Sequence, residues 1–223
     1  MGAAAGPDII EDGLVLCLDA ANPKSYSGSG TNWEDLSGNG NNGTLVNGVV
    51  YSSSDNGSFS FDGVNDYIEV SNSSSLNPSN NTIICWAKSD NSTWNDNGYL
   101  MSKRNVFIIH PIGGQTRVGY YFFLNGSYIS ASVYPSNIQN WNMYAYSWDG
   151  TYLNAYLNGN LISSGAKTGP LNTSDTGVLQ IGKDDSLSRY LDGNISICKI
   201  YNRALTASEI KQNYIALKGR FNI

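Results

Sequence analysis

The chain has 223 residues, of which only 14% are charged, and its formal net charge is −5 at pH 7. An acidic chain poor in Lys and Arg lacks the basic patch that nucleic acid or an anionic membrane requires, so we expect neither partner. The first eight residues have neither the positive charges nor the apolar stretch of a secretory signal. We therefore expect no signal peptide in this chain.

The predicted elements begin after a polar N-terminal arm, residues 1–12, that we expect to be loosely held unless a partner orders it. A first strand follows at 13–19, and a glycine-rich irregular region covers 24–48. Short strand-like runs then recur at roughly 8–12-residue spacing, which is typical of a β-sandwich. We predict one sandwich domain at 13–205, followed by a capping helix and tail at 206–223.

The clearest strand signals lie in residues 141–162. Three runs rich in aromatic and apolar side chains are separated there by Asp149-Gly150 and Asn158-Gly159. Both dipeptides tolerate the positive φ values of a type I′ turn, whose twist matches that of paired strands. This β-meander, with about a dozen short strands in the whole chain, predicts an all-β fold, namely a two-sheet antiparallel jelly-roll sandwich.

One helix is predicted at the end of the chain. Thr206 and Glu209 have the spacing of a capping box, in which each side chain satisfies a free backbone N–H of the other residue. The helix runs from Ala207 to Lys218, and Gly219 is the expected stop signal. Its apolar face, which we expect to pack on the sandwich or on another subunit, comprises Ile210, Tyr214 and Leu217.

Short motifs occur in a fixed order along the chain. They are Trp33-x-Asp35-Leu36-Ser37-Gly38-Asn39-Gly40, Phe61-Asp62-Gly63, Trp148-Asp149-Gly150-Thr151, Tyr156-Leu157-Asn158-Gly159 and Asp192-Gly193-Asn194-Ile195. Together they resemble the laminin-G-like branch of the concanavalin A-like lectin/glucanase superfamily, over about residues 13–218. Segments 6–26 and 212–221 are in turn similar to virion-associated proteins of tailed bacteriophages.

The catalytic residues of the glucanases that the chain resembles are missing. His110 is the one histidine, and no nucleophile motif accompanies it. Glycoside hydrolysis needs two carboxylates across one cleft. Of the four glutamates, Glu11 lies in the arm and Glu209 belongs to the helix cap, and no strand carries the closely spaced acidic residues of a glucanase. We therefore expect no enzymatic activity and assign no catalytic residue.

The resemblance also implies one structural calcium ion at the rim of the sandwich. Calcium takes about six to eight oxygen ligands from carboxylates, amides and backbone carbonyls. The candidates in the matching loops are Asp35, Asn39, Asp62 and Asp192. An alternative stays open, because Asp and Asn close to glycine are also common turn formers whose side chains bond to their own backbone.

Aromatic residues are abundant, with 15 Tyr and 5 Trp. Most of them are expected to fill the core, but aromatic faces with a polar tip also serve binding surfaces. We predict Trp94, Tyr128 and Tyr134 as ligand-binding residues, because they lie in or beside polar loops. Trp94 is the strongest candidate, since it stands alone in the polar loop 90–97.

All three cysteines, Cys17, Cys85 and Cys198, lie within apolar strand-like runs. We interpret them as buried thiols that act as small apolar side chains. The alternative is a disulfide between Cys17 and Cys198, which would join the first and last strands.

The composition and the resemblance together predict a non-enzymatic binding or adhesion module. The setting implied by the chain ends is a phage virion, where a capsid decoration, fibre or tail protein presents its sandwich to cell-surface glycan or to another virion structural protein. A homo-oligomer formed through the arm or the helix is also expected. Two alternatives stay open, namely a carbohydrate-binding module of a secreted bacterial enzyme or adhesin, and a purely structural capsid protein without a ligand.

Overall fold

The computed structural model describes residues 7–54, 57–96, 98–167, 169–184 and 188–223. Two antiparallel sheets of eight strands face each other, which confirms the predicted sandwich. Sheet A contains β1 (Leu14–Asp19), β4 (Val50–Ser52), β5 (Ser58–Asp62), β7 (Asn81–Lys88), β12 (Asn142–Trp148), β13 (Tyr152–Leu157), β14 (Asn160–Ala166) and β18 (Asp192–Tyr201). Sheet B contains β2 (Asn32–Trp33), β3 (Gly43–Val46), β6 (Tyr67–Val70), β8 (Met101–Lys103), β9 (Phe107–Pro111), β10 (Val118–Leu124), β11 (Ser127–Val133) and β15 (Leu179–Ile181). A short hairpin of β16 (Lys183–Asp184) and β17 (Arg189–Tyr190) lies beside sheet B.

The strand order brings the first and last strands of the chain together. Sheet A runs β14-β13-β12-β7-β18-β5-β4, and sheet B runs β11-β10-β9-β8-β15-β6-β3-β2. The long strand β18 changes partner along its length, because its first half pairs with β5 and its second half pairs with β1. The first and last strands are therefore neighbours, and both chain ends leave from sheet A.

The predicted meander forms β12, β13 and β14, paired antiparallel in sheet A. Asn158 and Gly159 both have positive φ, 51° and 73°, as a type I′ turn requires. The other connection differs from the prediction, since only Gly150 has a positive φ there. The Asp149 carboxylate accepts hydrogen bonds from the N–H groups of Thr151 and Tyr152, at 2.8 and 2.6 Å. These bonds stabilise a three-residue loop in place of a two-residue turn.

The main core lies between the sheets and is rich in aromatic rings. Alternation along the strands directs Tyr120 and Phe122 of β10 and Tyr146 of β12 inward, and all three are fully buried. The Phe122 and Tyr146 rings meet edge to face, with centroids 4.4 Å apart. Such a pair contributes about 0.5–1.5 kcal/mol beyond its buried area, so the aromatic contacts add to the stability of the core.

A second core covers the outer face of sheet A. The helix α1 (Ala207–Lys218) begins with the predicted capping box, in which the Thr206 hydroxyl and the Glu209 carboxylate bond to each other's backbone N–H. The Trp86 ring of β7 stacks on Tyr214 of α1 at 5.7 Å and on Phe221 at 4.3 Å. The apolar face of α1 therefore packs on the sandwich. Within the described part of the chain, no helix is long and apolar enough to cross a membrane.

The chain beyond α1 corrects one prediction. Gly219 has a right-handed φ of −60°, so it does not act as the left-handed stop. The backbone continues as a 3₁₀ turn over Gly219–Phe221, and Asn222 takes the left-handed conformation with φ 56°. This extension places Phe221 on Trp86 and Arg220 beside Asp19, with which Arg220 forms two hydrogen bonds of 2.7 and 2.8 Å. Burial of Phe221 explains why the helical turn extends past the glycine.

Residues 7–12 of the predicted arm run along α1 and are held by it. The Ile10 N–H donates to Asn213 Oδ1 at 3.1 Å, and the Tyr201 hydroxyl donates to the Ile10 carbonyl at 2.9 Å. The Gln212 amide donates to the Asp8 carbonyl at 2.8 Å. The expectation of a loosely held arm is therefore wrong for these residues, because a buried helix face offers them partners. Residues 1–6 lie outside the described residues.

The three cysteines are free and buried, which confirms their interpretation as thiols. Cys198 lies directly opposite Leu18 and Cys85, whereas Cys17 lies opposite Lys199. Successive strand residues face opposite sides of a sheet, so Cys17 and Cys198 are directed to different faces. The alternative prediction of a disulfide between Cys17 and Cys198 is therefore wrong.

Candidate ligand-binding groove

The strands β9, β10 and β11 form the floor of a groove on the outer face of sheet B. The turn between β10 and β11 has positive φ at Asn125 and Gly126, 47° and 76°, and it pairs the two strands in direct register. Because alternation buries Tyr120 in the core, its neighbour Tyr121 lies on the outer face. Tyr128 of β11 is 40% exposed and lies on the same face.

A stack of two rings forms one wall of the groove. The Tyr99 and His110 rings lie 4.3 Å apart and nearly parallel, with an interplanar angle of 18°. The His110 Nδ1 is 2.9 Å from the Gly98 carbonyl, which can only accept, so Nδ1 carries the proton. Burial, and then the charge of Arg189, lower the pKa of His110, although the Gly98 contact opposes them. The imidazole is therefore neutral at pH 7, and its Nε2 is a hydrogen-bond acceptor.

Two guanidinium groups lie at the end of the groove near the β16–β17 hairpin. Arg104 bonds through Nη1 to Asp184, a carboxylate that is fully buried. Arg189 donates through Nη1 to the Tyr99 hydroxyl at 3.1 Å. Burial, and then the charge of Asp184, raise the pKa of Tyr99, so this residue stays a neutral phenol. The Tyr128 hydroxyl in turn donates to the Arg104 carbonyl, which fixes the position of that ring.

The groove encloses a cavity of about 290 Å³. Its lining consists of Tyr99, Arg104, Ile108, His110, Tyr121, Tyr128 and Arg189. A wider cleft of about 590 Å³ lies between residues 7–12 and α1. Arg203 in that cleft is already paired with Glu209 and Asp12, and no aromatic residue lines the cleft among the described residues. The smaller groove therefore has the chemistry of a binding site, because aromatic faces and available donors meet in it.

The structure corrects the prediction for Trp94, which lies in the core with 1% of its surface exposed. Its backbone N–H donates to the Gln115 carbonyl at 2.9 Å, and its own carbonyl accepts from the Gly114 N–H at 3.0 Å. These bonds turn the loop toward the sandwich, so that the indole packs near Tyr144, with centroids 6.4 Å apart. A Cβ at Gly193 would stand only 2.7 Å from the Lys88 carbonyl but in ordinary contact with the indole at 3.5 Å, so the backbone of β7, and not the indole, requires glycine there.

Tyr128 lines the groove as described, but Tyr134 does not join it. Tyr134 follows the far end of β11 and is 64% exposed. The two residues are separated by about 20 Å along the strand, at about 3.4 Å per residue. A single small ligand therefore cannot contact both rings.

Of the seven lining residues, the sequence predicted only Tyr128 as a ligand-binding residue and missed the other six. Tyr121 could have been found from the alternation of β10, because its neighbours on either side have the inward register. The other five have no sequence signal, since only the fold brings residues 99–110 and Arg189 onto the same face as Tyr121 and Tyr128.

The predicted calcium ligands do not form one site. The Asp35 carboxylate accepts hydrogen bonds from the N–H groups of Cys17, Ser37 and Asn41 at 2.8–3.0 Å, so it pins its own loop to β1. The Asn39 amide is exposed and donates to the Ser37 hydroxyl at 3.0 Å. Both residues have the contacts of turn formers.

Asp62 and Asp192 are a separate pair, opposite each other on β5 and β18. Burial, and then the charge of Asp90, raise the pKa of Asp192. Lys199, which lies beside Cys17 and the Asp35 loop, is about 23 Å from Asp192 along β18, at about 3.3 Å per residue. The described residues contain no group of three or more His, Cys, Asp or Glu arranged for a metal ion. The candidates therefore do not fit a shared calcium site, and bound calcium stays a prediction.

Residues 61–211 match the family Laminin_G_3, described as the concanavalin A-like lectin/glucanases superfamily. Among solved structures, the binding domain of Paraclostridial Mosquitocidal Protein 1 has a TM-score of 0.72 at 18% identity, over 92% of this chain and 52% of that chain. The binding domain of botulinum neurotoxin DC in complex with rat synaptotagmin II has a TM-score of 0.73 at 15% identity, over 93% of this chain and 52% of that chain.

A third similar structure is domain 4 of AbnA, a GH43 extracellular arabinanase from Geobacillus stearothermophilus, in complex with arabinotriose. Its TM-score is 0.70 at 17% identity, over 90% of this chain and 98% of that domain. The chain thus spans about half the length of the toxin binding domains and nearly all of the arabinanase domain. No curated protein sequence matches the chain. At these identities the likeness shows a shared fold.

Proposed function

Because the chain belongs to the concanavalin A-like lectin/glucanase superfamily, we propose that it is a non-catalytic binding module that holds a saccharide in the outer groove of sheet B. The observation that carries this proposal is the composition of the groove. Aromatic rings and hydrogen-bonding groups meet on one open surface, supported by the sandwich.

Both the apolar face and the hydroxyl groups of a sugar ring find partners in the groove. The C–H face of a sugar is apolar, and the rings of Tyr121 and Tyr128 offer it flat apolar surfaces. Sugar hydroxyls need both donors and acceptors. The guanidinium groups of Arg104 and Arg189 donate, and Nε2 of the neutral His110 accepts.

The groove binds without the groups that would hydrolyse a glycoside. Among the described residues that line it there is no carboxylate. Asp184, which lies behind Arg104, is fully buried and bonded to that arginine. Hydrolysis requires two carboxylates about 5–9.5 Å apart on either side of the glycosidic bond. A bound saccharide is therefore expected to leave the groove intact.

The similar structures support a binding role of this kind. The AbnA domain is in complex with arabinotriose, and one toxin binding domain is in complex with synaptotagmin II. A saccharide and a protein receptor are thus both precedents for the fold. The combination of ring faces with donors and an acceptor favours the saccharide here.

The virion setting is a second part of the proposal and comes from the resemblance of segments 6–26 and 212–221. The described parts of these segments meet on the outer face of sheet A, through the Ile10–Asn213 and Arg220–Asp19 contacts. The groove lies on the outer face of the opposite sheet. If the chain ends attach this protein to a virion, the groove therefore faces away from the particle. Detection of this chain by mass spectrometry in purified phage particles would test the setting.

Binding is tested with the full chain on an array of neutral, uronic, sialylated and sulfated glycans, followed by calorimetric titration of the strongest binder. Tyr121→Ala and Tyr128→Ala are each expected to weaken binding about 10-fold, because a Tyr ring that the ligand covers contributes about 1–2 kcal/mol to binding. Tyr152→Ala is the matched control, since Tyr152 is 47% exposed on sheet A. An array without any bound glycan, or shorter saccharides after incubation, would overturn the proposal.

A further inference from the structure

We propose that the groove selects an acidic saccharide, whose carboxylate or sulfate group binds between Arg104 and Arg189. This inference rests on the proposed function, because it names the class of saccharide that the same groove takes. It is carried by the charge of the groove and by the hydrogen-bond donors that remain on the two guanidinium groups.

The groove has an excess of positive charge within an acidic protein. The chain as a whole carries a net charge of −5, yet the ionised groups among the described lining residues are two arginines. Arg104 pairs with the buried carboxylate of Asp184, and no carboxylate lines the groove among the residues that the structure describes. Because Arg104 keeps 30% of its side chain exposed, part of its positive charge faces the solvent in the groove.

The neighbouring ionisable groups preserve this excess. Asp175 lies close enough to influence Tyr128, but its carboxylate accepts from the buried amine of Lys103 at 3.0 Å. The positive charge of Arg117 acts on His110 from the start of β10. Lys183 of the β16–β17 hairpin stands over the Tyr67 ring of sheet B, 4.2 Å from its centroid. Glu69 of β6 also faces outward on sheet B, but it accepts a hydrogen bond from Gln180 at 3.3 Å, so the positive groups nearest the groove favour an anion there.

Both guanidinium groups have donors to spare. The side-chain bonds to Asp184 and to the Tyr99 hydroxyl use Nη1 of Arg104 and Nη1 of Arg189. A guanidinium carries five N–H donors in a planar fork that matches the two oxygens of a carboxylate or the oxygens of a sulfate. Within the described part of the chain, Nη2 of each arginine is available to such a group. The ring faces of Tyr121 and Tyr128 would hold the rest of the sugar.

The glycan array tests the inference directly, because its uronic, sialylated and sulfated members differ from the neutral members in carrying an anion. Signals are expected on acidic glycans, and the uronic and sulfated sets identify which anion the groove prefers. The strongest binder is then titrated at low and high sodium chloride. Its affinity should fall with salt, since the salt screens a solvent-exposed ion pair.

Arg189→Gln is the decisive variant. It should weaken binding of the acidic glycan by about 10- to 100-fold, as expected for the loss of a charge-assisted hydrogen bond. Arg104→Lys keeps a cation beside Asp184 but loses the fork, so it should weaken binding while the protein stays folded. Lys211→Gln on α1 removes the same charge outside the groove and should leave the affinity unchanged.

The outcomes separate the two proposals. Equal binding of neutral and acidic glycans, with no effect of salt or of Arg189→Gln, would overturn the acidic preference and leave the saccharide-binding function standing. An array without any bound glycan would overturn both. Circular dichroism and the urea midpoint of each variant confirm that a lost signal comes from the groove and not from unfolding.

Discussion

Trp94→Ala should destabilise the protein by about 3–5 kcal/mol, because the ring belongs to the core. The side chain is 1% exposed, and a Trp buries roughly 150–250 Å², which at about 25 cal/mol per Å² corresponds to about 4–6 kcal/mol. The buried indole N–H has no partner among the described residues, and its lost hydration offsets part of this gain. A net loss of 3–5 kcal/mol therefore agrees with the area buried.

The assay is urea unfolding followed by circular dichroism, with the thermal midpoint as a second measure. At about 2–4 °C per kcal/mol for a chain of this size, the midpoint should fall by at least about 6 °C. Tyr134→Ala is the control, since Tyr134 is 64% exposed, and it should change the stability by no more than about 0.5 kcal/mol. A loss below about 1 kcal/mol for Trp94→Ala would refute burial and return the ring to the exposed position that the sequence alone predicts.

Asp35→Ala should lower the free energy of unfolding by about 2 kcal/mol or more, equally in calcium and in EGTA, because backbone N–H groups hold the carboxylate. A loss seen only in calcium would reveal a bound ion instead. The bonds from Arg203 and the helix cap hold the pKa of Glu209 at about 2, against an ordinary value of 4.5. The Glu209 carboxylate therefore stabilises the fold fully above about pH 4.5, and this effect fades toward pH 2. The urea midpoints of Glu209→Gln and the wild type should differ at pH 7 and converge in acid. A difference that stays constant with pH would contradict this. Burial raises the pKa of Cys17 to about 11, and iodoacetamide at pH 8 should label the cysteines only in urea, as intact mass will show.

A binding module is consistent with the way the sandwich distributes its tasks. The outer face of sheet A is covered by α1, Phe221 and residues 7–12, so this face is used for stability. The outer face of sheet B remains open over β9 to β11 and carries the groove. Because each sheet packs one face in the common core, changes at the groove are expected to leave the fold intact.

The sequence by itself determined the elements that depend on neighbouring residues. The meander with its Asn158-Gly159 turn and the capping box at Thr206 and Glu209 follow from side-chain alternation and local hydrogen bonding. Such signals lie within a few residues of one another, so they are legible before the chain folds. The shared motifs added the superfamily, which the match at residues 61–211 confirms.

Only the tertiary structure decided which side chains meet. Trp94 has the polar neighbours of an exposed residue, yet backbone bonds to the loop at Gly114 and Gln115 bring it into the core. The groove is likewise assembled from the stretch 99–128 and from Arg189, which lies far along the chain and reaches the groove on β17. Burial and charge pairing are sums over contacts between such segments, and no local pattern records them. For this reason the fold could be predicted from the sequence, whereas most of the groove could not.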